Sequence, residues 1–304
     1  MTNKTPQLAR EVTMRQLIWR RFRRHPGAIM GSIVLSCIIL ACTFAFLSPY
    51  DPYKSNLSER YHPPSLEHPM GTDALGRDLM TRVLYGGRVS LAVGFSVMII
   101  TLVIGIPVGA IAGYFGGRID NILMRITDAA LALPSLLVLI LLGAILREVD
   151  APWLKSNPVL TIAFVIGILA WMFTARLVRA SYLTIREMDF VAATRALGGS
   201  NLRIIALHIF PNAIGPVIVE ATLEIAYAIL EESGLSYLGF GIQPPTPSWG
   251  NLLSNAQEYL IKYPWLAIFP GIMIFLSVIS INYIGDGLRD AFDPHKVLIK
   301  MGEV

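Results

Sequence analysis

The chain alternates long apolar blocks, free of Asp, Glu, Lys and Arg, with shorter charged segments. About 20 apolar residues are needed to cross a bilayer as an α-helix. The apolar blocks predict six transmembrane helices, at about 27–47, 89–114, 126–146, 158–178, 204–231 and 264–285. The stretch 233–257 also contains no charged residue, but it is polar and interrupted by Gly and Pro. We expect it outside the membrane or in a shallow re-entrant turn.

The distribution of Lys and Arg predicts the orientation of these spans. Seven of them precede the first span, which places the N-terminus inside, and six spans return the C-terminus to the same side. With this N-in/C-in topology the inner segments and span ends hold 17 Lys and Arg, and the outer segments hold 8. The predicted segments are a cytoplasmic arm at 1–26, a first transmembrane helix at 27–47, an extracytoplasmic loop at 48–88, a transmembrane core at 89–285 and a cytoplasmic tail at 286–304.

Composition excludes the other broad classes. The chain of 304 residues is 54% hydrophobic and 15% charged, with a mean hydropathy of +0.57, whereas soluble domains are about 25% charged. This argues against soluble, disordered, coiled-coil and collagen-like proteins. The net charge of +4 is mostly a topology signal, so no nucleic-acid partner is expected, and membrane lipid is the expected surrounding.

Motifs for catalysis are absent from the sequence. There is no Gly-Lys pair, so the chain has no P-loop of its own, and the usual zinc-protease, Cys-x-x-Cys and Gly-x-Ser-x-Gly motifs are missing. We therefore expect no enzymatic activity, no metal site and no cofactor bound to this chain.

The segment 186–199 predicts a short amphipathic helix between the fourth and fifth spans. Phe190, Ala193 and Leu197 have the spacing i, i+3, i+7 of one helix face. Asp189 is the expected N-cap, and Gly198 or Gly199 the expected stop. Such a helix either lies on the membrane surface or docks as a knob into a cytoplasmic partner.

This segment resembles the E-A-A loop of ABC importer permeases. Gly198 and Pro211 fall at the positions of the family's Gly and Pro, while Ala192-Ala193-Thr194 stands where the family has Glu-Ala-Ala. The resemblance implies a coupling helix at about 188–199 that contacts an ATPase. The residues that it assigns to ATPase coupling are Asp189, Phe190, Ala192, Ala193, Thr194, Arg195, Leu197 and Gly198.

Three further segments are similar to signatures of the peptide/nickel permease group. They lie at 71–91, 232–250 and 285–294, in the family's order. The chain thus resembles the C-type permease subunit of a dipeptide/oligopeptide ABC importer. This implies an all-α polytopic membrane protein with the type I ABC importer permease fold.

The resemblance also implies an assembly in a bacterial or archaeal cytoplasmic (inner) membrane. Its members are a homologous B-type permease, two cytoplasmic ABC ATPase subunits that hold ATP and Mg, and an extracellular or periplasmic substrate-binding protein. Import of nickel or another small solute is the alternative with the same architecture. A proton-coupled secondary transporter is a further alternative, which the coupling loop disfavours.

Acidic residues within the predicted fifth span are the candidates for a pathway. Glu220, Glu224, Tyr227 and Glu231 are spaced i, i+4, i+7, i+11 and so share one helix face. Carboxylates in a membrane usually face protein or a water-filled cavity. This face either lines the translocation pathway, or its carboxyls are protonated or paired to Arg of a neighbouring chain.

Glycines of the second span predict a close helix contact. Gly105, Gly109 and Gly113 are four residues apart and lie on one face, where another backbone can approach. The contact is either packing within the chain or a subunit interface.

Overall fold

The computed structural model describes residues 13–149, 152–254 and 256–293, and within these ranges it contains no β-strand. Short 3₁₀ turns lie at Phe44–Leu47 and Leu57–Glu59, and a π-helical segment lies at Ile204–Ile209. The α-helices are α1 (Met14–Phe22), α2 (Pro26–Thr43), α3 (Leu79–Phe115), α4 (Gly117–Leu131), α5 (Ser135–Glu148), α6 (Pro152–Ser156), α7 (Pro158–Ile185), α8 (Asp189–Ala196), α9 (Asn201–Arg203), α10 (Phe210–Tyr237), α11 (Trp249–Leu253), α12 (Ala256–Tyr259) and α13 (Trp265–Phe292).

Five helical segments of the described ranges are long and apolar enough to cross a membrane. Their cores agree with five of the predicted spans, although most extend beyond the predicted ends. The segments are Pro26–Leu47, Leu79–Phe115, Pro158–Ile185, Asn201–Tyr237 and Trp265–Phe292. The all-α prediction is therefore confirmed.

The predicted single helix at 126–146 is wrong, because this region is a bent pair. The helices Gly117–Leu131 and Ser135–Leu146 meet at 84° and can count together as the sixth span. Pro134 lies at the break, since it lacks an N–H and its ring disfavours a helical conformation for the preceding residue.

Ion pairs hold the first half of this bent pair against α7. Arg179 binds both carboxylate oxygens of Asp120, with 2.6 Å between Nη2 and Oδ2. Arg176 also pairs with Asp128. The polar helix α4 therefore packs beside α7 and separates α3 from the apolar α5 along the chain.

The second span starts at Leu79 rather than near residue 89. Asp78 caps the helix, because its Oδ2 accepts a hydrogen bond from the Thr81 backbone N–H at 2.7 Å. The charge of Arg82 interrupts the apolar pattern here, yet Arg82 is buried and donates to the Pro52 carbonyl at 2.8 Å. The apolar pattern therefore did not predict the first turns of this helix, because they contain the charged Arg82, whose guanidinium is buried and hydrogen-bonded.

The segment between α2 and α3 is folded by its own hydrogen bonds. The Asp73 carboxylate accepts from the backbone N–H groups of Leu75 and Arg77 and from Arg77 Nε, at 2.8 to 3.0 Å. His68 is buried, and its Nδ1 lies 2.9 Å from Asp78 Oδ1. The segment therefore forms a fixed surface at the end of the bundle that also carries α11, called the α11 end below.

The most extensive helix contact joins α3 and α7, and the glycine stripe forms it. A Cβ atom on Gly105 would lie 2.8 Å from the Trp171 carbonyl oxygen. At Gly113 it would lie 2.7 Å from the Arg179 carbonyl oxygen, and at Gly109 closer still to that of Ala175. Packing within the chain is therefore the correct interpretation of these glycines.

We predict that Gly109→Ala destabilises the protein, because its methyl group would overlap the α7 backbone. Overpacking of this kind costs about 1–3 kcal/mol of unfolding free energy. Thermal denaturation of the chain in mild detergent should show a lowered melting temperature. Gly271→Ala on α13 is the matched control, since nothing lies within 4 Å of a Cβ there. Equal melting temperatures of the two variants would contradict the assignment.

Candidate docking and pathway sites

The α8 helix projects from the bundle end opposite α11, called the α8 end below. Its N-cap is Met188 and not Asp189 as predicted, because Asp189 already has helical geometry and lies in the first turn. The predicted stop at Gly198 is present, with φ at +79°. Gly198 N–H donates to the Arg195 carbonyl at 3.0 Å and Gly199 N–H to the Thr194 carbonyl at 3.1 Å, which is a Schellman ending.

The apolar stripe predicted on this helix faces away from the chain. Leu197 is 89% and Phe190 39% exposed, and Ala193 is exposed as well. The residue that anchors α8 to the core is Val191, which is fully buried. The periodicity thus identified a real apolar face, but within the described residues no element of this chain covers it.

All eight predicted coupling residues lie on α8 or just after it. Most are exposed, and Thr194 is half-buried, with its hydroxyl donating to the Phe190 carbonyl at 2.8 Å. Their placement, in chain order, covers Asp189, Phe190, Ala192, Ala193, Thr194 and Arg195 on the helix and Leu197 and Gly198 at its end. They form one protruding surface.

Contacts that the sequence did not suggest hold this helix in place. The Arg195 guanidinium lies over the Tyr114 ring, 5.8 Å from its centroid. Tyr114 is buried at the end of α3, and its hydroxyl donates to Asn201 Oδ1 at 2.8 Å. Arg186 Nη1 donates to the Gly113 carbonyl at 3.0 Å. These partners are far apart along the chain, so local spacing carried no signal for them.

A π-helical turn connects this region to α10. Ile204–Ile209 lies between α9 and α10, and the Tyr182 hydroxyl donates to the Ile205 carbonyl at 3.1 Å. The side-chain amide of Asn212 donates to the His208 carbonyl at 2.7 Å. Pro211 is the second residue of α10. Such turns often occur at functional sites. Here the turn changes the helical register between α8 and the long apolar helix.

The predicted acidic face lies on α10. Glu224 is buried, Glu220 and Glu231 are half-buried, and Tyr227 is 58% exposed. The Glu224 carboxyl lies within electrostatic reach of those of Glu231 and Glu220. In the described part of the chain, none of these three carboxyls has an ion-pair partner. The acidic face therefore includes buried Glu224 and exposed Tyr227, so part of it lies on the surface of this single chain.

A further carboxyl, Glu232, was not among the predicted site residues. It is fully buried, and its Oε2 accepts from the Ser90 hydroxyl at 2.9 Å and its Oε1 from the Ser236 hydroxyl at 2.6 Å. The backbone N–H of Trp249 donates to Ser90 Oγ at 3.1 Å, and the backbone N–H of Ile242 donates to Ser236 Oγ at 2.9 Å. Two relays of hydrogen bonds thus connect one carboxyl to two places in the following segment.

This network folds the predicted re-entrant segment back against α3 and α10. The Trp249 side chain is fully buried, and its Nε1 donates to the Val83 carbonyl at 2.9 Å. A Cβ on Gly87 would lie 2.7 Å from the Trp249 ring, and one on Gly250 would lie 2.5 Å from Ser233 Cα. The two glycines admit the indole and the turn, so the segment packs as part of the bundle end.

Comparison with known families gives two matches along the chain. Residues 105–297 match the family described as binding-protein-dependent transport system inner membrane component. Residues 13–64 match the N-terminal TM domain of oligopeptide transport permease C. The first match contains the π-helical turn, α8 and the acidic face of α10.

Curated relatives resemble the chain over most of its length. The dipeptide transport system permease protein DppC of Alkalihalophilus pseudofirmus is 43% identical over 277 residues, which cover 91% of this chain and 88% of the relative. The di/tripeptide transport system permease protein DppC of Pseudomonas aeruginosa is 40% identical over 283 residues, covering 91% and 90%. The oligopeptide transport system permease protein OppC of Bacillus subtilis is 40% identical over 275 residues, covering 90% and 87%.

A solved structure shares the fold. A chain from inward-facing conformations of the MetNI methionine ABC transporter aligns with a TM-score of 0.57 at 20% identity. The alignment covers 71% of this chain and 98% of that chain. The predicted ABC importer permease fold is therefore confirmed.

Replacing Glu232 should loosen the segment between α10 and α11. Glu232→Ala leaves the hydroxyls of Ser90 and Ser236 without their acceptor, and a buried polar group left without its hydrogen-bond partner costs about 1–3 kcal/mol. Hydrogen–deuterium exchange should speed up at the amides of Ile242 and Trp249. Glu258→Ala, on the exposed Glu258 at the same bundle end, is the control. Unchanged exchange in both variants would show that the carboxyl does not hold the segment.

Proposed function

Because the chain belongs to the family of binding-protein-dependent transport system inner membrane components, we propose that it forms half of the translocation pathway of an ATP-driven peptide importer. The proposal rests on the apolar surface of α8, which no described part of the chain covers. The helix itself is held at the end of α3, because Arg195 lies over the Tyr114 ring. A surface of this kind favours a docked partner over solvent. The partner is a cytoplasmic ABC ATPase.

The proposed topology places the α8 end in the cytoplasm and the α11 end outside. It follows from the excess of Lys and Arg in segments on the α8 side. Both chain termini then lie in the cytoplasm of a bacterial or archaeal cell whose inner membrane holds the protein. The N-terminal helix α1 supports this arrangement, since Arg21 reaches across to the Asp293 carbonyl, 3.0 Å away, at the end of α13.

The assembly proposed for this chain has four kinds of members. A homologous B-type permease pairs with it, two ATPase subunits bind ATP and Mg²⁺, and an external binding protein delivers the substrate. The chain itself contributes no ATP site, which agrees with the missing P-loop. The outer segments around His68 and Trp249 are folded and supply a fixed surface for the binding protein.

Coupling runs from α8 to α10 in this proposal. Closure of the ATPases moves α8, and the contacts of Tyr114 and Arg186 carry the movement to α3 and α7. The π-helical turn carries it to α10, which bears the acidic face. Rigid helix movements then open the pathway alternately to each side, provided the two states differ in contacts at α8.

The acidic face of α10 is proposed to line the pathway. Because Tyr227 brings this face to the surface of the chain, in an assembly the face can line a cavity at the boundary with the B-type permease. Carboxyls there would attract the free α-amino group of a peptide. Pairing with an Arg of the neighbouring permease is the other arrangement that the exposed side allows.

Peptide is the proposed substrate class. The relatives at about 40% identity carry the names of dipeptide, di/tripeptide and oligopeptide permeases, which favours peptides over nickel. A proton-coupled transporter using Glu220 and Glu224 would work without an ATPase, so transport without ATP is the outcome that would support it instead.

Leu197→Asp should detach the ATPase subunits. It places a charge on the proposed docking surface, at the end of α8, without touching the core, because Leu197 is 89% exposed. The assembled transporter should lose at least tenfold of its co-purifying ATPase and of its substrate-stimulated ATP hydrolysis in proteoliposomes. Leu66→Asp, an exposed leucine at the opposite end of the bundle, is the matched control for ATPase co-purification. Leu66 lies in the outer surface proposed for the binding protein, so only ATPase retention is compared between the two variants. Retention of the ATPases by both variants would overturn the docking assignment.

Glu220→Gln and Glu224→Gln should raise KM for dipeptide uptake several-fold, because each removes a carboxyl that would attract an α-amino group. Uptake into proteoliposomes of the whole transporter would be measured with ATP present and the proton gradient collapsed. Glu258→Gln serves as the control outside the proposed pathway. Unchanged kinetics for every substrate tried would exclude a pathway role for this face.

A further inference from the structure

We propose that a cavity beside α8 binds an acidic side chain of the ATPase partner, with Arg195 as its main cation. This inference rests on the proposed function and names the chemistry of one contact within it. The cavity has a volume of about 410 Å³ and opens at the α8 end of the bundle. It is lined by Tyr114, Phe115, Arg186, Glu187, Arg195 and Asn201.

Arg195 is positioned by a buried support. The ring of Tyr114 lies under the guanidinium, 5.8 Å away, and Tyr114 itself is only 6% exposed. The tyrosine cannot rotate freely, because its hydroxyl donates to Asn201 Oδ1 at 2.8 Å. A cation that stacks on an aromatic face keeps its N–H donors at the ring's edge available. Within the described residues, the Arg195 guanidinium has no carboxylate partner.

The second cation of the cavity is already occupied. Arg186 Nη1 donates to the carbonyls of Gly113 and Tyr114, at 3.0 and 3.3 Å, at the end of α3. Its Nε donates to the Glu187 carboxylate at 2.8 Å. The lining therefore contains two guanidinium groups and one carboxylate, and the unmatched charge is that of Arg195. A carboxylate satisfies this arrangement, since it accepts two parallel hydrogen bonds from a guanidinium.

The position of the cavity selects the occupant. Arg195 is two residues from Leu197, the most exposed residue of the apolar α8 surface. Residues two apart lie on different helix faces, but both side chains are exposed at the C-terminal end of α8. A partner that encloses this end of the helix therefore contacts Leu197 on one face and Arg195 on another. Arg195 is the cation of this cavity without a carboxylate partner among the described residues, so an acidic residue of the docked ATPase complements it.

The test compares charge variants of Arg195 in the assembled transporter. Arg195→Glu should reduce the ATPase retained during purification at least tenfold, Arg195→Gln less, and Arg195→Lys least. Arg203→Glu reverses an exposed cation on α9 that does not line the cavity, and it should retain the ATPase. Equal retention in Arg195→Glu and Arg203→Glu would overturn the proposal.

A second experiment identifies the acidic partner. Each Asp and Glu of the ATPase surface would be changed singly to Lys in the Arg195→Glu background. We expect one of these changes to restore retention and transport, because it re-forms the ion pair with reversed charges. Failure of every single change to restore retention would count against one acidic contact in the cavity.

Two further outcomes separate this inference from the proposed function. If Leu197→Asp releases the ATPase and Arg195→Glu does not, docking through α8 stands and the acidic contact is wrong. If neither releases it, the docking surface itself is wrong. Native mass spectrometry covers the remaining anion source: loss of a bound anionic phospholipid in Arg195→Glu, with the ATPase retained, would assign the cavity to a lipid phosphate and overturn the proposal.

Discussion

The close approach of α3 to α7 is the constraint on which the rest of the structure depends. Gly105, Gly109 and Gly113 let the α3 backbone touch carbonyl groups of α7, and no side chain could be added between them. Interiors packed to this density move as rigid units. The two helices therefore fix the positions of both bundle ends, and the polar groups at those ends are held at hydrogen-bonding distance from one another.

Each end uses this rigidity differently. At the α11 end, the buried carboxyl of Glu232 gathers Ser90 and Ser236 and folds the following segment onto α3. At the α8 end, Tyr114 and Arg186 tie the last turn of α3 to the chain on either side of α8. Because α10 extends between both ends, one helix connects the region of α8 with the acidic face and with the segment that precedes α11.

Much of the fold could be predicted from the apolar pattern, and the errors have physical causes. Charge gaps located the spans but missed the first turns of α3, since buried Arg82 finds local partners and so belongs to a helix despite its charge. The bend at Pro134 was also missed, because hydropathy measures length and not direction. The helix and stop of α8 were predicted by spacing, whereas its exposed apolar face could be assigned only once Val191 was seen in the core.

The sequence by itself determined the class of the protein, most of its spans, the short helix between the fourth and fifth spans, and its family, because these depend on local periodicity and on motifs of contiguous residues. Only the tertiary structure decided which groups meet: Glu232 with Ser90, Tyr114 with Asn201, and Arg195 over Tyr114. These pairs bring together residues from helices distant in the chain. Their geometry follows from helix packing, which depends on the shapes of facing surfaces and leaves no periodic trace in the sequence.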